Sequence, residues 1–534
     1  MRLDKNLAAA LLLLVVALLI QVRIGVGVHA SDLAGMDDPA HYTTGVMVYD
    51  YLRHAVGSSP MQFALSFYQR FPKVALGHWP PVYYAIQAAW YFVFGTSVGS
   101  ARALSAVICG ALTFLLFYRL RGSYGTPLAL LGSACFLVLP IVQDASWLVM
   151  SDLLTGLFVF LAVLSFGDFL KSGSTRDLWW FTGWSVIAIL TKGSGWAIGF
   201  FMILAPFLSG RVGRLRSPWF WVSGIAVAAL AAPFFIYVQI HHIGYPVDPE
   251  RMASGALRME GRFEILKVMM LGFLPLYVWC VALLGCISIY WHPGGEKTAG
   301  REEAAVALSW LMAQIVFHLL FALTPETRYL MPSAALTMIL FTRGLWTVWN
   351  GSRRWVPRLG FAAPFILATA CFAVCGMPMP ERITGYQPVA QSIPFGKDAN
   401  ELLISSDPVG EGAFIAERLV RDRDRQSIIL RASKVLSKST WEAYGYVVLY
   451  KTTADVDRYL SGSGVRYILI DDSAFPVRPH QRLLEDAVRA DPGKYVLRGM
   501  FPIASAGGRR HGDLFVFENM ARNKAQSAAD TEPQ

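Results

Sequence analysis

Hydrophobic and polar positions divide the chain into long apolar runs separated by short polar connectors, followed by a region with a different rhythm. The first apolar run, over 7–20, stands behind Arg2 and Lys5. Continued to about residue 28 it is long enough to cross a bilayer, which takes about 20 residues. Val28-His29-Ala30 resembles a signal-peptidase site, so a cleaved leader is the alternative; the length favours a retained helix. A polar stretch follows, over 28–81. The aromatic segment 82–94 is too short for a span and reads as an interfacial helix. Further spans are then expected at about 98–118, 127–143, 151–170, 178–192, 195–209, 218–240, 266–290, 304–324, 329–349 and 357–376. With the first helix they make about eleven.

The connectors alternate in charge. Arg119 and Arg121, Lys171 and Arg176, Arg211, Arg214 and Arg216, Lys297 and Arg301, and Arg353, Arg354 and Arg358 fall in every second loop. Short loops rich in Lys and Arg stay in the cytoplasm. The opposite side then receives the loop around Asp37, the turn at 143–151, the loop at 241–264, the turn at 324–328 and everything after about 376.

Near residue 390 the period changes. Short apolar runs at 402–404, 427–430, 465–470, around Tyr495 and at 514–517 read as strands. Amphipathic stretches at 410–420, 454–460 and 480–489 read as helices. Such alternation predicts an α/β domain. The expected architecture is therefore an α-helical polytopic membrane protein: a membrane domain over 1–380 carrying a first exterior loop with interfacial helices over 28–97, an extracytoplasmic α/β domain over 390–520, and a polar tail over 521–534 expected to be disordered.

Composition agrees. Of 534 residues, 54% are hydrophobic and 16% charged, with mean hydropathy +0.43, too apolar for a soluble chain of this length. The net charge of +10 sits largely in the short connectors and reads as topology; no basic stripe interleaved with aromatics suits a nucleic acid. All six cysteines lie in apolar runs, including Cys371 and Cys375 on one helix face, and give neither a disulfide framework nor a zinc site. Lys192-Gly193-Ser194-Gly195 lacks the upstream glycine and strand of a P-loop. His241 and His242, as sequence neighbours, point to different helix faces, so a shared metal is disfavoured.

Chemistry concentrates at the exterior ends of the spans. Asp37-Asp38-Pro39-Ala40-His41-Tyr42 opens the first loop. Two carboxylates beside a bilayer are costly to desolvate. Asp152 begins a span, Lys192 ends one, and Glu326-Thr327-Arg328-Tyr329 precedes another. Each has a plainer reading: Asp37 and Asp152 as helix caps, Lys192 and Arg328 as snorkelling cations, His41 as a polar loop residue. Asp407 and Asp471 stand near the carboxyl ends of strands, where open α/β sheets bind ligands, but they read equally well as loop or cap residues.

These pieces, in order, resemble the GT-C class of polyprenyl-phosphate-sugar-dependent glycosyltransferases, similar to the aminoarabinose and protein mannosyl transferases. Met36-Asp37-Asp38-Pro39-Ala40-His41-Tyr42 resembles the acidic motif after the first helix. Gly77-His78-Trp79-Pro80-Pro81-Val82-Tyr83-Tyr84 is similar to the Pro-Pro segment, continued by Phe94-Gly95-Thr96-Ser97 and Ala101-Arg102. Met150-Ser151-Asp152-Leu153-Leu154 matches the second acidic position, Leu190-Thr191-Lys192-Gly193 the Thr-Lys-Gly turn, and Glu326-Thr327-Arg328-Tyr329-Leu330-Met331-Pro332 the late Arg-Tyr segment. The resemblance covers roughly 1–350. It departs at Trp79, where relatives often carry a lysine; His78 or Lys73 stands as the substitute.

The resemblance implies a transferase in a bacterial cytoplasmic membrane that moves a sugar from a polyprenyl-phosphate donor to a lipid, glycan or protein acceptor on the extracytoplasmic face. It implies Asp37 as general base and Asp152 as a second catalytic carboxylate. Lys192 and Arg328 would hold phosphate, with His78 and Arg102 as weaker candidates, and Asp38, His41, Glu326 and Tyr329 would complete the substrate site. No cofactor or metal is expected, although Asp37-Asp38 could contribute to a divalent-cation site. Two other classes stay open: a secondary transporter, disfavoured because the charges gather at one face and not at mid-membrane, and a membrane-anchored binding protein working through its C-terminal domain.

Overall fold

The computed structural model describes residues 5–23, 33, 35, 37–241, 259–291, 300–321, 326–355, 383–395, 401–438, 445–474, 476–505 and 510–522. The expected span at 357–376, with Cys371 and Cys375, lies outside the described residues, as do Val28-His29-Ala30, His242 and the tail from 523. The chain forms two compact units, one of 1–27, 76–83 and 102–379, the other of 28–75, 84–101 and 380–534.

The first unit is helical. Among the described residues four helices are long and apolar enough to cross a membrane: Val98–Tyr124, Asp152–Ser172, Pro218–Ile240 and Arg301–Phe321. Two expected spans are bent pairs instead. Thr126–Val138 and Pro140–Trp147 meet at 61°, and Gly261–Phe273 and Leu276–Tyr290 at 99°. Both breaks hold a proline, Pro140 or Pro275, which removes a ladder donor and pushes the preceding residue out of the α region. Counted as one span each, they raise the total to six. The expected spans at 178–192 and 195–209 are the shorter helices Thr175–Ile189 and Ile198–Leu208, joined through the 3₁₀ turn Gly193–Ala197. The expected span at 329–349 starts as the 3₁₀ turn Thr327–Ser333, with Pro332 inside it, and continues as Ala334–Trp355. The first apolar run is the helix Lys5–Arg23.

Arg119, Lys171 and Arg211, from three of the basic connectors, meet at one end of this unit. Arg119 lies 2.7 Å from Asp168 and 3.1 Å from Glu303, Lys171 lies 3.5 Å from Glu303, and Arg211 pairs with Glu302. Lys171 is in the last turn of Asp152–Ser172. Asp152, at the start of the same helix, is therefore about 30 Å away at 1.5 Å per residue. These three connectors thus stand at the end of the bundle opposite Asp152.

The second unit contains the α/β domain. Its six-stranded sheet has the order β1-β7-β8-β6-β2-β3, from β1 (Ile383–Thr384), β2 (Glu401–Ser405), β3 (Ile428–Arg431), β6 (Tyr467–Asp471), β7 (Tyr495–Ser505) and β8 (His511–Asn519); β4 (Ser437–Lys438) and β5 (Val447–Val448) form a separate ribbon. β2 pairs in parallel with β3 and β6, and the β6–β8, β8–β7 and β7–β1 pairs are antiparallel. The central strands β2 and β6 are buried almost throughout, which explains their continuous apolar runs. Leu403, Ile468, Leu484, Val488 and Phe517 share the core, each contributing roughly 1.5–3 kcal/mol by burial. Helices Pro408–Arg421, Thr453–Gly462 and Pro479–Ala490 form where the amphipathic pattern places them.

The polar segment 28–75, grouped by the sequence with the membrane domain, packs in the same compact unit as the α/β domain. Specific contacts hold it there. Asp50 on helix Asp38–His54 accepts from Arg425 Nε at 2.7 Å, and Arg431 reaches the Pro72 carbonyl at 3.5 Å. These partners are separated by more than 350 residues, so local pattern carries no trace of them. Asp407 and Asp471 are structural. Asp407 caps helix Pro408–Arg421 and pairs with Arg510 at 2.7 Å. Asp471 accepts from Tyr386 at 2.6 Å and from Ser406 and Ser473 hydroxyls at 2.5 Å.

Candidate active site

In the helical unit the site begins with Asp152, first residue of its helix, where the positive end of the dipole favours a carboxylate. The N-cap position belongs to Ser151 and makes no side-chain cap bond. Asp152 is not a cap either: its Oδ1 lies 2.5 Å from Lys192 Nζ, and both side chains are almost wholly buried. Oδ2 is buried with no hydrogen-bond partner among the described residues. Lys192 is delivered by the turn that ends helix Thr175–Ile189. Gly195 permits this turn, since a Cβ there would come within 2.9 Å of the Ile189 nitrogen. Because its amine is paired with a buried carboxylate, Lys192 does not snorkel.

The 3₁₀ turn Thr327–Ser333 packs on the same helix. Trp310 Nε1 donates to Ser333 Oγ at 3.0 Å, and Gln314 donates to the Tyr329 carbonyl at 3.1 Å, fixing the turn. Lys192 Nζ then lies 5.0 Å from the centre of the Tyr329 ring. Arg328 lies 3.4 Å from Glu326 and reaches Met150 Sδ at 3.3 Å. Asp144, Met150, Asp152, Thr327 and Arg328 line a cavity of about 200 Å³. The Pro-Pro segment is joined to this site: Val82 N–H donates to the Leu190 carbonyl at 3.0 Å, which ties the residues after His78 to the Lys192 turn. His78 itself stands edge-on to Trp79 at 4.5 Å. Arg102 is fully buried, its guanidinium 6.0 Å from the Trp147 ring, on the helix that supplies Asp144.

The first acidic motif belongs to the other unit. Asp37 occupies the N-cap position of helix Asp38–His54, and its carbonyl receives Ala40 N–H and His41 N–H, both at 3.0 Å. Its side chain makes no cap bond, so capping does not account for the carboxylate. Asp37, Asp38 and His41 are all buried. His41 Nδ1 lies 2.8 Å from the Tyr84 hydroxyl, with the two rings stacked at 5.7 Å. His41 is thus a hydrogen-bonded interior residue, not a solvated loop histidine.

The structure therefore brings Asp152, Lys192, Glu326, Arg328 and Tyr329 together in the helical unit, and Asp37, Asp38 and His41 in the other. Sequence reasoning placed Asp144 in an exterior turn and did not single it out; it lines the cavity from helix Pro140–Trp147, and a carboxylate at the edge of an apolar run was the signal available.

The family model for dolichyl-phosphate-mannose-protein mannosyltransferase matches residues 78–237. ArnT from Cupriavidus metallidurans bound to undecaprenyl phosphate superposes with TM-score 0.56 and 13% identity, over 99% of this chain and 98% of that one. The chain has the fold of a GT-C glycosyltransferase. The same ArnT without ligand gives TM-score 0.55 at 13% identity, over 97% of each chain. The Archaeoglobus fulgidus oligosaccharyltransferase, tethered to an acceptor peptide, gives 0.49 at 13% identity, over 96% of this chain and 74% of that one. No curated protein matches by sequence. The GT-C resemblance read from the scattered motifs thus has support both in the family match and in the fold. The family match spans His78, Arg102, Asp152 and Lys192.

Proposed function

We propose that this protein transfers a sugar from a polyprenyl-phosphate donor to a lipid, glycan or protein acceptor at the extracytoplasmic face of a bacterial cytoplasmic membrane. The buried Asp152–Lys192 pair, whose carboxylate lines a cavity of about 200 Å³ beside Arg328, is the observation that carries this reading. A GT-C relative whose structure holds undecaprenyl phosphate supports a lipid-phosphate ligand.

The chemistry follows from the residue types. The acceptor hydroxyl or amine attacks the anomeric carbon, the bond from that carbon to the phosphate oxygen breaks, and polyprenyl phosphate leaves. Asp37 accepts the acceptor's proton. Asp152 orients the sugar or acceptor and faces the positive charge that develops on the ring. Lys192 and Arg328 stabilise the departing phosphate by charge-assisted hydrogen bonds. Glu326 and Tyr329 fix those cations, while Asp38 and His41 shape the surroundings of Asp37. His78 and Arg102 are secondary candidates for phosphate. The reading calls on no metal or other cofactor.

The test compares envelope lipids and glycans by mass spectrometry in cells without the gene, with the wild type, and with Asp37→Asn at equal membrane abundance. The wild type restores a sugar on one acceptor, and Asp37→Asn lowers it by about 10²–10⁴-fold. An envelope identical with and without the protein sinks the transferase reading. Full activity of Asp37→Asn removes the assigned base.

A further inference from the structure

Lys73 is a buried lysine in the unit that holds Asp37, only 2% exposed, just beyond helix Pro60–Arg70. Its Nζ donates to the Pro408 carbonyl at 3.2 Å, at the start of helix Pro408–Arg421. Gly412 in that helix lets the lysine in. A Cβ there would stand 2.8 Å from Lys73 Cε, 3.3 Å from its Nζ and 3.2 Å from Pro39 Cγ. The amine therefore lies against the start of helix Pro408–Arg421, at a glycine that also meets Pro39 in the first turn of helix Asp38–His54, which Asp37 opens.

The charged groups that face Lys73 are Asp37 from the acidic motif, Asp407 and Glu411 from the helix, and Arg431 from β3. Two of these carboxylates are engaged by arginines: Glu411 by Arg431 at 2.7 Å, and Asp407 by Arg510 at 2.7 Å. Burial, helped by Arg431, pulls the Lys73 amine down to about 7, while Asp37, Glu411 and Asp407 hold it up.

Resting on the glycosyltransferase reading above, we propose that Lys73 is a positioning residue whose ammonium ties the Asp37 turn to the α/β domain and keeps the Asp37 carboxylate oriented for proton transfer. The α/β domain is then part of the catalytic scaffold. Loss of the Lys73 proton, above about pH 7, dissolves the tie and slows transfer on the alkaline side.

The experiment uses the full chain in membranes, supplied with the polyprenyl-phosphate-sugar extract and the acceptor fraction of the parent cells. Transfer is followed across pH, and binding of undecaprenyl phosphate is measured in parallel. Lys73→Met keeps the buried volume and removes the charge. It is expected to lower the turnover rate about 10–100-fold, the scale on which a small misplacement acts, and to flatten the alkaline fall, with undecaprenyl phosphate affinity unchanged. Lys73→Arg carries a charge that persists through the range; it retains more activity than Lys73→Met and moves the alkaline fall upward. The proposal is overturned by a wild-type rate and profile in Lys73→Met, or by undecaprenyl phosphate binding that weakens in step with the rate, which would make Lys73 a donor ligand. Absence of transfer by the wild type overturns the glycosyltransferase reading, and this role with it.

Discussion

Lys192 Nζ meets Asp152 Oδ1 at 2.5 Å across 40 positions of sequence, with 10% and 3% of the two side chains exposed. A buried ion pair broken on one side leaves an uncompensated charge, which costs about 3–5 kcal/mol. Lys192→Met and Asp152→Asn should each lower the melting temperature of the purified protein. The double variant should recover part of that loss, because neither charge is then stranded. Activity should not recover. Each single variant, and the double, is expected to lose about 10²–10³-fold in turnover, the scale of a lost electrostatic stabiliser. A double variant that regains both stability and turnover would make the pair purely structural.

Arg328 differs from Lys192 in its surroundings. It is partly exposed, paired with Glu326 at 3.4 Å, and lines the cavity. Arg328→Ala should therefore fold normally and bind undecaprenyl phosphate about tenfold or more weakly, since a charge-assisted bond contributes about 1.5–3 kcal/mol. Arg328→Lys should recover only part of this, because an ammonium cannot offer the two parallel donors of a guanidinium. Calorimetric or fluorescence titration with undecaprenyl phosphate checks both variants. Unaltered affinity in Arg328→Ala would remove Arg328 from the phosphate site.

The α/β domain carries an acid-sensitive position. His480 is buried, with Nδ1 2.8 Å from the Tyr446 hydroxyl. Burial, together with nearby Arg478, pushes the imidazole down to about 4. In the unfolded chain it titrates near 6.5. Between those values the unfolded state binds the extra proton, so stability falls as pH drops from about 6.5 to about 4. Across that range this position lowers the stability by about 3 kcal/mol. Melting curves of the full chain from neutral to mildly acid pH should show it, and His480→Gln should flatten it. A wild-type slope in His480→Gln would place the acid sensitivity elsewhere.

By itself, the sequence determined where apolar helices form, which connectors carry positive charge, and where a strand-and-helix rhythm begins. Those features depend on the composition and period of short windows, which local chemistry dictates. It also located the carboxylates and cations near helix ends, because charge in an apolar chain is rare enough to stand out. Direction and partnership were decided by the tertiary structure. Apolar runs at 127–143 and 266–290 look continuous, since hydrophobicity records burial and not heading; the 61° and 99° bends appear only where Pro140 and Pro275 break the ladder. Asp152 could have been a cap until the turn at 193–197 brought Lys192 against it. The loop after the first helix could have stood alone until Arg425 met Asp50 from 375 positions away. Contacts at such separations are set by how whole elements pack, and no window of sequence contains both partners.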